Sequence, residues 1–114
     1  MKPFIQGGHT LALRAVRTVL GTDAGLRLIV ETIETVDWAS ATFVGKRHRC
    51  ELRVEGAQAA VSAAVERLAR ELPEVDVATS GYFLADAALD GFALAFDGED
   101  TVASLTVDAL TIED

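Results

Sequence analysis

Apolar residues recur at helical spacing in two stretches of the chain. Val61, Val65, Leu68 and Leu72 fall at i, i+4, i+7 and i+11, which is one face of a 3.6-residue period and predicts a helix over 57–72. Ala57, Ala59, Ala60, Ala63, Ala64 and Ala69 raise its helix propensity and keep one side slim enough to lie close on a sheet. Glu66 and Arg70 make an i,i+4 pair on its outer side, Gly56 marks its entry and Pro73 its end. Leu13, Val16 and Leu20 recur at i, i+3 and i+7, with Arg14 and Arg17 on the opposite side. They predict a second helix over 9–20, closed by the turn residues of Gly21–Gly25.

Between the helices the period changes to two. Leu26–Glu34 is rich in Ile, Val and Thr and predicts a strand, with Thr35-Val36-Asp37 as a turn and Ala39–Val44 as the return strand. Gly45-Lys46 fits a second tight turn or a bulge within one long strand. From there the alternation is regular. His48, Cys50, Leu52 and Val54 face one way, and Arg47, Arg49, Glu51, Arg53 and Glu55 the other, so one side packs on a core and the other meets water. After Pro73, Val75–Ala78 starts a strand or a connector. Asp90-Gly91 and Asp97-Gly98 are each flanked by apolar residues, the strongest short-range hairpin signal, and divide the remainder into strands at 82–89, 92–96 and 102–112. A helical turn over 84–89 is the rival for the first of these.

The order of elements predicts an α+β fold over 1–114, a single domain with two helices packed on a mainly antiparallel sheet. Two arrangements fit. A strand at Phe4–Gln6 gives β-α-β-β-α-β plus an extra strand, a ferredoxin-like architecture; without it the chain is two α-β-β halves. Val36–Phe43 faintly echoes Val75–Phe83, but the flanking elements do not keep one spacing.

Composition narrows the function classes. Half of the 114 residues are apolar and a quarter charged, which excludes a disordered chain, and no run of about 18 apolar residues suggests a membrane span. Cys50 is the one cysteine, so neither an internal disulfide framework nor a multi-cysteine zinc site is available. With no apolar signal-peptide core in Met1–Gly8, a reducing cytoplasmic location is expected. Nineteen alanines, and eight arginines against two lysines, suggest a GC-rich bacterial genome.

The net charge of −8 is unevenly placed. Residues 1–70 hold all ten basic residues and seven acids, whereas residues 71–114 hold eleven acids and no lysine or arginine. The acidic third is also apolar, so it belongs to the fold rather than to a solvated tail. Nucleic acid is not an expected partner, because so acidic a molecule is repelled by phosphates at long range.

No phosphate-binding loop, dinucleotide fingerprint or nucleophile elbow is present. His48 and Cys50 share a strand face, but no further ligands are spaced to complete a metal site. Cys50 is expected to be a buried, inert thiol beside Leu52 and Val54. Neither a catalytic group nor a cofactor is predicted. Arg47, Arg49 and Arg53, with Lys46 and His48 nearby, form the one basic cluster. They could hold a carboxylate or phosphate, or pair with Asp86, Asp90, Asp108 or Glu113 on neighbouring strands. Asp97–Asp100 packs three acids into a solvated turn. Trp38, Phe92 and Phe96 are candidate interface residues, because strands with apolar residues on both faces need a second cover. The expectation is a non-catalytic domain that self-associates into a homo-oligomer or binds a protein partner. The alternative is a domain that binds, or acts on, an anionic small molecule through its arginine face.

Overall fold

In the computed structural model, which describes residues 8–21, 25–79 and 81–114, two helices lie against one face of a five-stranded antiparallel sheet. The elements in chain order are α1 (Gly8–Leu20), β1 (Leu26–Ala39), β2 (Val44–Ala57), α2 (Gln58–Glu71), a 3-10 turn at Leu72–Glu74, β3 (Ala78–Thr79), β4 (Tyr82–Asp97) and β5 (Asp100–Glu113). The strand order is β1-β2-β5-β4-β3. β2 pairs directly with β5, where a ferredoxin-like sheet would hold the first strand of its β-α-β-β-α-β order, so the described residues form two helix–hairpin halves joined between β2 and β5. The strand proposed at Phe4–Gln6 lies outside the described residues.

The joining ladder runs without a register shift from Gly45↔Ile112 to Ala57↔Asp100. Its inner residues Cys50, Leu52 and Val54 and their partners Ala103, Leu105 and Val107 are buried beneath α1 and α2, together with Val16, Val61, Ala64 and Leu68. The predicted helical face of 57–72 is the observed one: Val61, Val65, Leu68 and Leu72 are all buried. At the end of α1, Gly21 adopts φ +71°, and its N–H donates to the Arg17 carbonyl 2.9 Å away, a left-handed C-terminal cap.

Several turns differ from the sequence expectation. Thr35-Val36-Asp37 is strand, and the hairpin turns at 40–43. There the Ser40 hydroxyl accepts from the Phe43 N–H at 3.1 Å, and the Ser40 N–H donates to the Phe43 carbonyl at 2.8 Å. The return strand therefore begins at Val44 and carries Gly45-Lys46 within its regular run, as neither turn nor bulge. A Cβ at Gly45 would lie 2.1 Å from the Thr111 carbonyl oxygen, so the close approach of β5 accounts for the glycine. Asp90-Gly91 is not a hairpin. It sits at a register shift between Leu89 and Gly91 inside the single long strand β4, and 84–89 is strand rather than helix. Asp97-Gly98 does precede a hairpin turn, but the central residues are Gly98 and Glu99 between the paired Asp97 and Asp100. Positive φ occurs only at Gly98, +65°, which matches a type II′ turn. Val75–Ala78 contributes only the start of the two-residue β3, paired with Tyr82 and Phe83.

The helices are much shorter than the strands. Fourteen strand residues at ~3.3 Å each span about 46 Å, and the longest dimension of the molecule is 48 Å. Helices of 13 and 14 residues reach only about 20 Å. The sheet therefore projects beyond its cover toward the β1–β2 hairpin, where Phe43 in the turn and Val44 are exposed, whereas Phe92, Leu94 and Phe96 are exposed because β4 flanks the covered strands, level with the buried Leu105, Ala103 and Thr101.

Removing a side chain from the covered region should be costly. Leu68→Ala should destabilise the protein by about 2–5 kcal/mol in chemical denaturation, because Leu68 is fully buried among core residues that can close the cavity only in part.

Candidate functional site

The outer face of the sheet carries the arginine stripe. Alternation on β2 puts Arg47, Arg49 and Arg53 on the side away from the helices, as expected, and their neighbours decide what they can do. Arg49 Nη2 lies 2.7 Å from Asp90 Oδ2, and its Nε lies 3.3 Å from Asp108 Oδ1. Asp108 is the cross-strand partner of Arg49 on β5, and Asp90 reaches it from the bulged segment of β4. These two acids hold the Arg49 guanidinium above its ordinary pKa, Asp108 most strongly. Arg53 Nε is 3.0 Å from Glu55 Oε2, off the N–H direction, an electrostatic contact rather than a hydrogen bond. Glu55 also accepts from Arg27 Nη2 at 2.6 Å, a bond that draws its carboxyl below the usual range. Lys46 has the strand parity of His48, on the helix side rather than with the arginines, and pairs with Asp37 across the β1–β2 hairpin. Arg47 is exposed and has no ion pair among the described residues. The stripe is thus largely neutralised by carboxylates along an open sheet.

His48 belongs to the opposite face and does not join the arginines. It is buried, with Nδ1 2.9 Å from Thr35 Oγ1 and Nε2 2.9 Å from Thr111 Oγ1. Both ring nitrogens are therefore engaged by hydroxyl groups, one donating and one accepting in the neutral ring. α1 starts directly above it. A Cβ at Gly8 would lie 2.2 Å from Thr111 Oγ1 and 2.7 Å from His48 Nε2, so only glycine admits the helix this close. Burial, aided by the charges of His9 and Lys46, lowers the His48 pKa to about 4. Cys50 is likewise buried, and burial, followed by the charges of Asp108 and Glu51, raises its thiol pKa to about 11. Among the described residues no group of three or more His, Cys, Asp or Glu could hold a metal ion.

The third candidate group divides. Trp38 is half-buried on the outer face, in the row Trp38–Gly45–Ile112–Phe83 across the sheet. Phe92 and Phe96 lie near the opposite end of the strands and on the helix side, where they are 56% and 70% exposed. Leu94 stands between them at 43% and completes an apolar row that neither helix covers. Leu94 shares the strand parity of both phenylalanines, a signal that could have placed it in the same group. Among the described residues only β3 pairs with the outer side of β4, at Tyr82 and Phe83, so the edge bearing this row is open.

Comparison with known proteins bears on the fold. A chain in a solved structure described as the virion of a native gene transfer agent (GTA) particle superposes on this protein. Its TM-score is 0.56 over 92% of this chain and 91% of that chain, at 17% sequence identity. The two share a fold. No protein-family model matches the sequence, and comparison with curated proteins returns no match. Among the described residues no helix is long and apolar enough to cross a membrane.

Two predictions follow from the buried polar pair. The folded-state pKa of His48 is depressed, so the unfolded chain binds its proton first. Its contribution is intact above the unfolded value of about 6.5 and is lost as pH falls toward about 4, amounting to at most about 3 kcal/mol. Denaturation midpoints should fall across that window in the wild type and fall distinctly less in His48→Gln, where only the paired carboxylates still titrate. Cys50 should react with a bulky disulfide reagent only at the rate of global opening, and at the normal thiol rate in denaturant.

Proposed function

We propose that this protein is a structural subunit of a self-assembling particle, related in architecture to virion components, and that it works by contact between copies rather than by catalysis. The carrying observation is the row Phe92, Leu94 and Phe96, exposed on the β4 edge of the described sheet, beside middle strands that the helices cover at the same level. Aromatic and aliphatic side chains on an unpaired strand are a surface suited to a protein partner. The shared fold with a chain of a gene transfer agent virion supports a particle component over an isolated binding module. The net charge of −8 favours protein–protein over protein–nucleic acid contacts. A buried free thiol suits assembly in a reducing bacterial cytoplasm. A ligand site on the arginine face is the weaker reading, because Arg49 and Arg53 already face carboxylates on an open sheet.

The wild-type protein should sediment as species whose mass rises with concentration between micromolar and millimolar. The rise should be greater at high salt, because screening relieves repulsion between copies that each carry −8. Replacing both Phe92 and Phe96 by serine should leave the melting temperature nearly unchanged and abolish the rise. A wild type that stays monomeric throughout would contradict the proposal.

A further inference from the structure

Among the described residues the sheet has two open edges, and they are not equally guarded along their length. Natural edge strands are blunted by bulges, charges or a covering segment. The Tyr82–Gly91 half of β4 has all three: β3 covers Tyr82 and Phe83, register shifts follow Leu84 and Leu89, and Asp86 and Asp90 add charge. The corresponding half of β1 has a register shift between Val30 and Thr32, and carries Glu31, Glu34 and Asp37. The remaining halves, Leu26–Val30 and Phe92–Phe96, are regular and carry no acid.

These two unguarded halves lie at the same end of the sheet and in the same rows. Leu26 pairs with Gly56, which pairs with Thr101, which pairs with Phe96. Leu28, Val54, Ala103 and Leu94 form the next row of that face, and Val30, Leu52, Leu105 and Phe92 the one after. Leu26, Leu28 and Val30 therefore match Phe96, Leu94 and Phe92 level for level, all on the helix side. The direction also matches. β1 and β2, β2 and β5, and β5 and β4 are each antiparallel, so β4 runs opposite to β1. A second copy in the same orientation then presents β1 antiparallel to β4, continuing the ladder.

We propose that copies of this chain join head to tail, with Phe92–Phe96 of β4 adding onto Leu26–Val30 of β1 in the next copy. This deepens the particle-subunit reading and rests on it. Charge separates this mode from a two-fold pairing of β4 with itself. Pairing β4 with β4 about Leu94 would set Asp90 beside the acidic turn at Gly98–Asp100 and leave the β1 edge unused. The head-to-tail mode instead brings Arg27, 75% exposed, into the row of Ala95, next to that turn. Because the two surfaces differ, each added copy leaves one of each free, which builds a ring or a filament rather than a closed dimer.

Two exposed positions in one row test this. Phe92→Lys blocks the β4 surface and Val30→Lys the β1 surface, each with a side chain that edge strands tolerate. Circular dichroism and melting temperature establish that both variants fold, and Phe96→Lys replaces Phe92→Lys if it does not. Sedimentation velocity should then show a wild type that assembles, and variants that are each monomeric alone, with association weakened at least tenfold. An equimolar mixture should form a dimer and nothing larger, because only one intact pair of surfaces remains. If the wild type assembles but Val30→Lys assembles equally well, or the mixture stays monomeric, the head-to-tail mode is wrong while the particle reading stands. A wild type that is monomeric at every concentration overturns both.

Discussion

Among the described residues the antiparallel contact between β2 and β5 is the one strand pairing between two helix–hairpin halves, and the core is built on it. It sets Cys50, Leu52 and Val54 beside Val107, Leu105 and Ala103 on one face, and both helices bury that face. It also fixes what the other face can be. With the register set, Arg49 falls opposite Asp108, and the basic strand from the first half meets the acidic strand of the second. Arg49 alone, among the described residues, carries the ion pairs between the two halves, to Asp108 and Asp90. The two halves recognise each other by apolar packing on one side and by opposite charge on the other.

Much of this was legible because it depends on local periodicity. The α2 face, the α1 face and the alternation of β2 follow from spacing alone, since a residue's side of a helix or strand is set by its neighbours. What was not legible depends on partners distant in sequence. Asp90-Gly91 has the chemistry of a hairpin, but β5 is long enough to pair with β4 on both sides of it, so the dipeptide becomes a bulge whose aspartate reaches Arg49. Gly45 looks like a turn residue, yet its absent side chain accommodates the approaching Thr111 carbonyl. The roles of His48 also waited on distant partners, because Thr35, Thr111 and Gly8 come together only through the sheet and α1. Of the candidate site residues, Phe92 and Phe96 fall together with Leu94, whereas Trp38 is on the other face and His48 is buried away from the arginines.

The limited breadth of the helix layer links the fold to its proposed use. The two helices cover β2 and β5 at the level of Leu52, Val54, Ala103 and Leu105 but not the edge strand beside them, which retains Phe92, Leu94 and Phe96 at the surface. Where the edges carry bulges, acids and β3, addition of another strand is opposed; where those features stop, apolar rows begin on both edges. The same sheet is thereby protected along one half and open to a neighbour along the other.

Amide hydrogen exchange, followed strand by strand at low and high protein concentration, addresses this account most directly. Exchange in the β2–β5 ladder should be slow and independent of concentration, because those amides open only with the whole fold. Amides of Phe92–Phe96 and Leu26–Val30 should exchange quickly in dilute protein and become protected together as concentration rises, while those of Glu31–Asp37 stay unchanged. Equal exchange of both edge segments at all concentrations, or protection spread evenly along β1 and β4, would contradict the account.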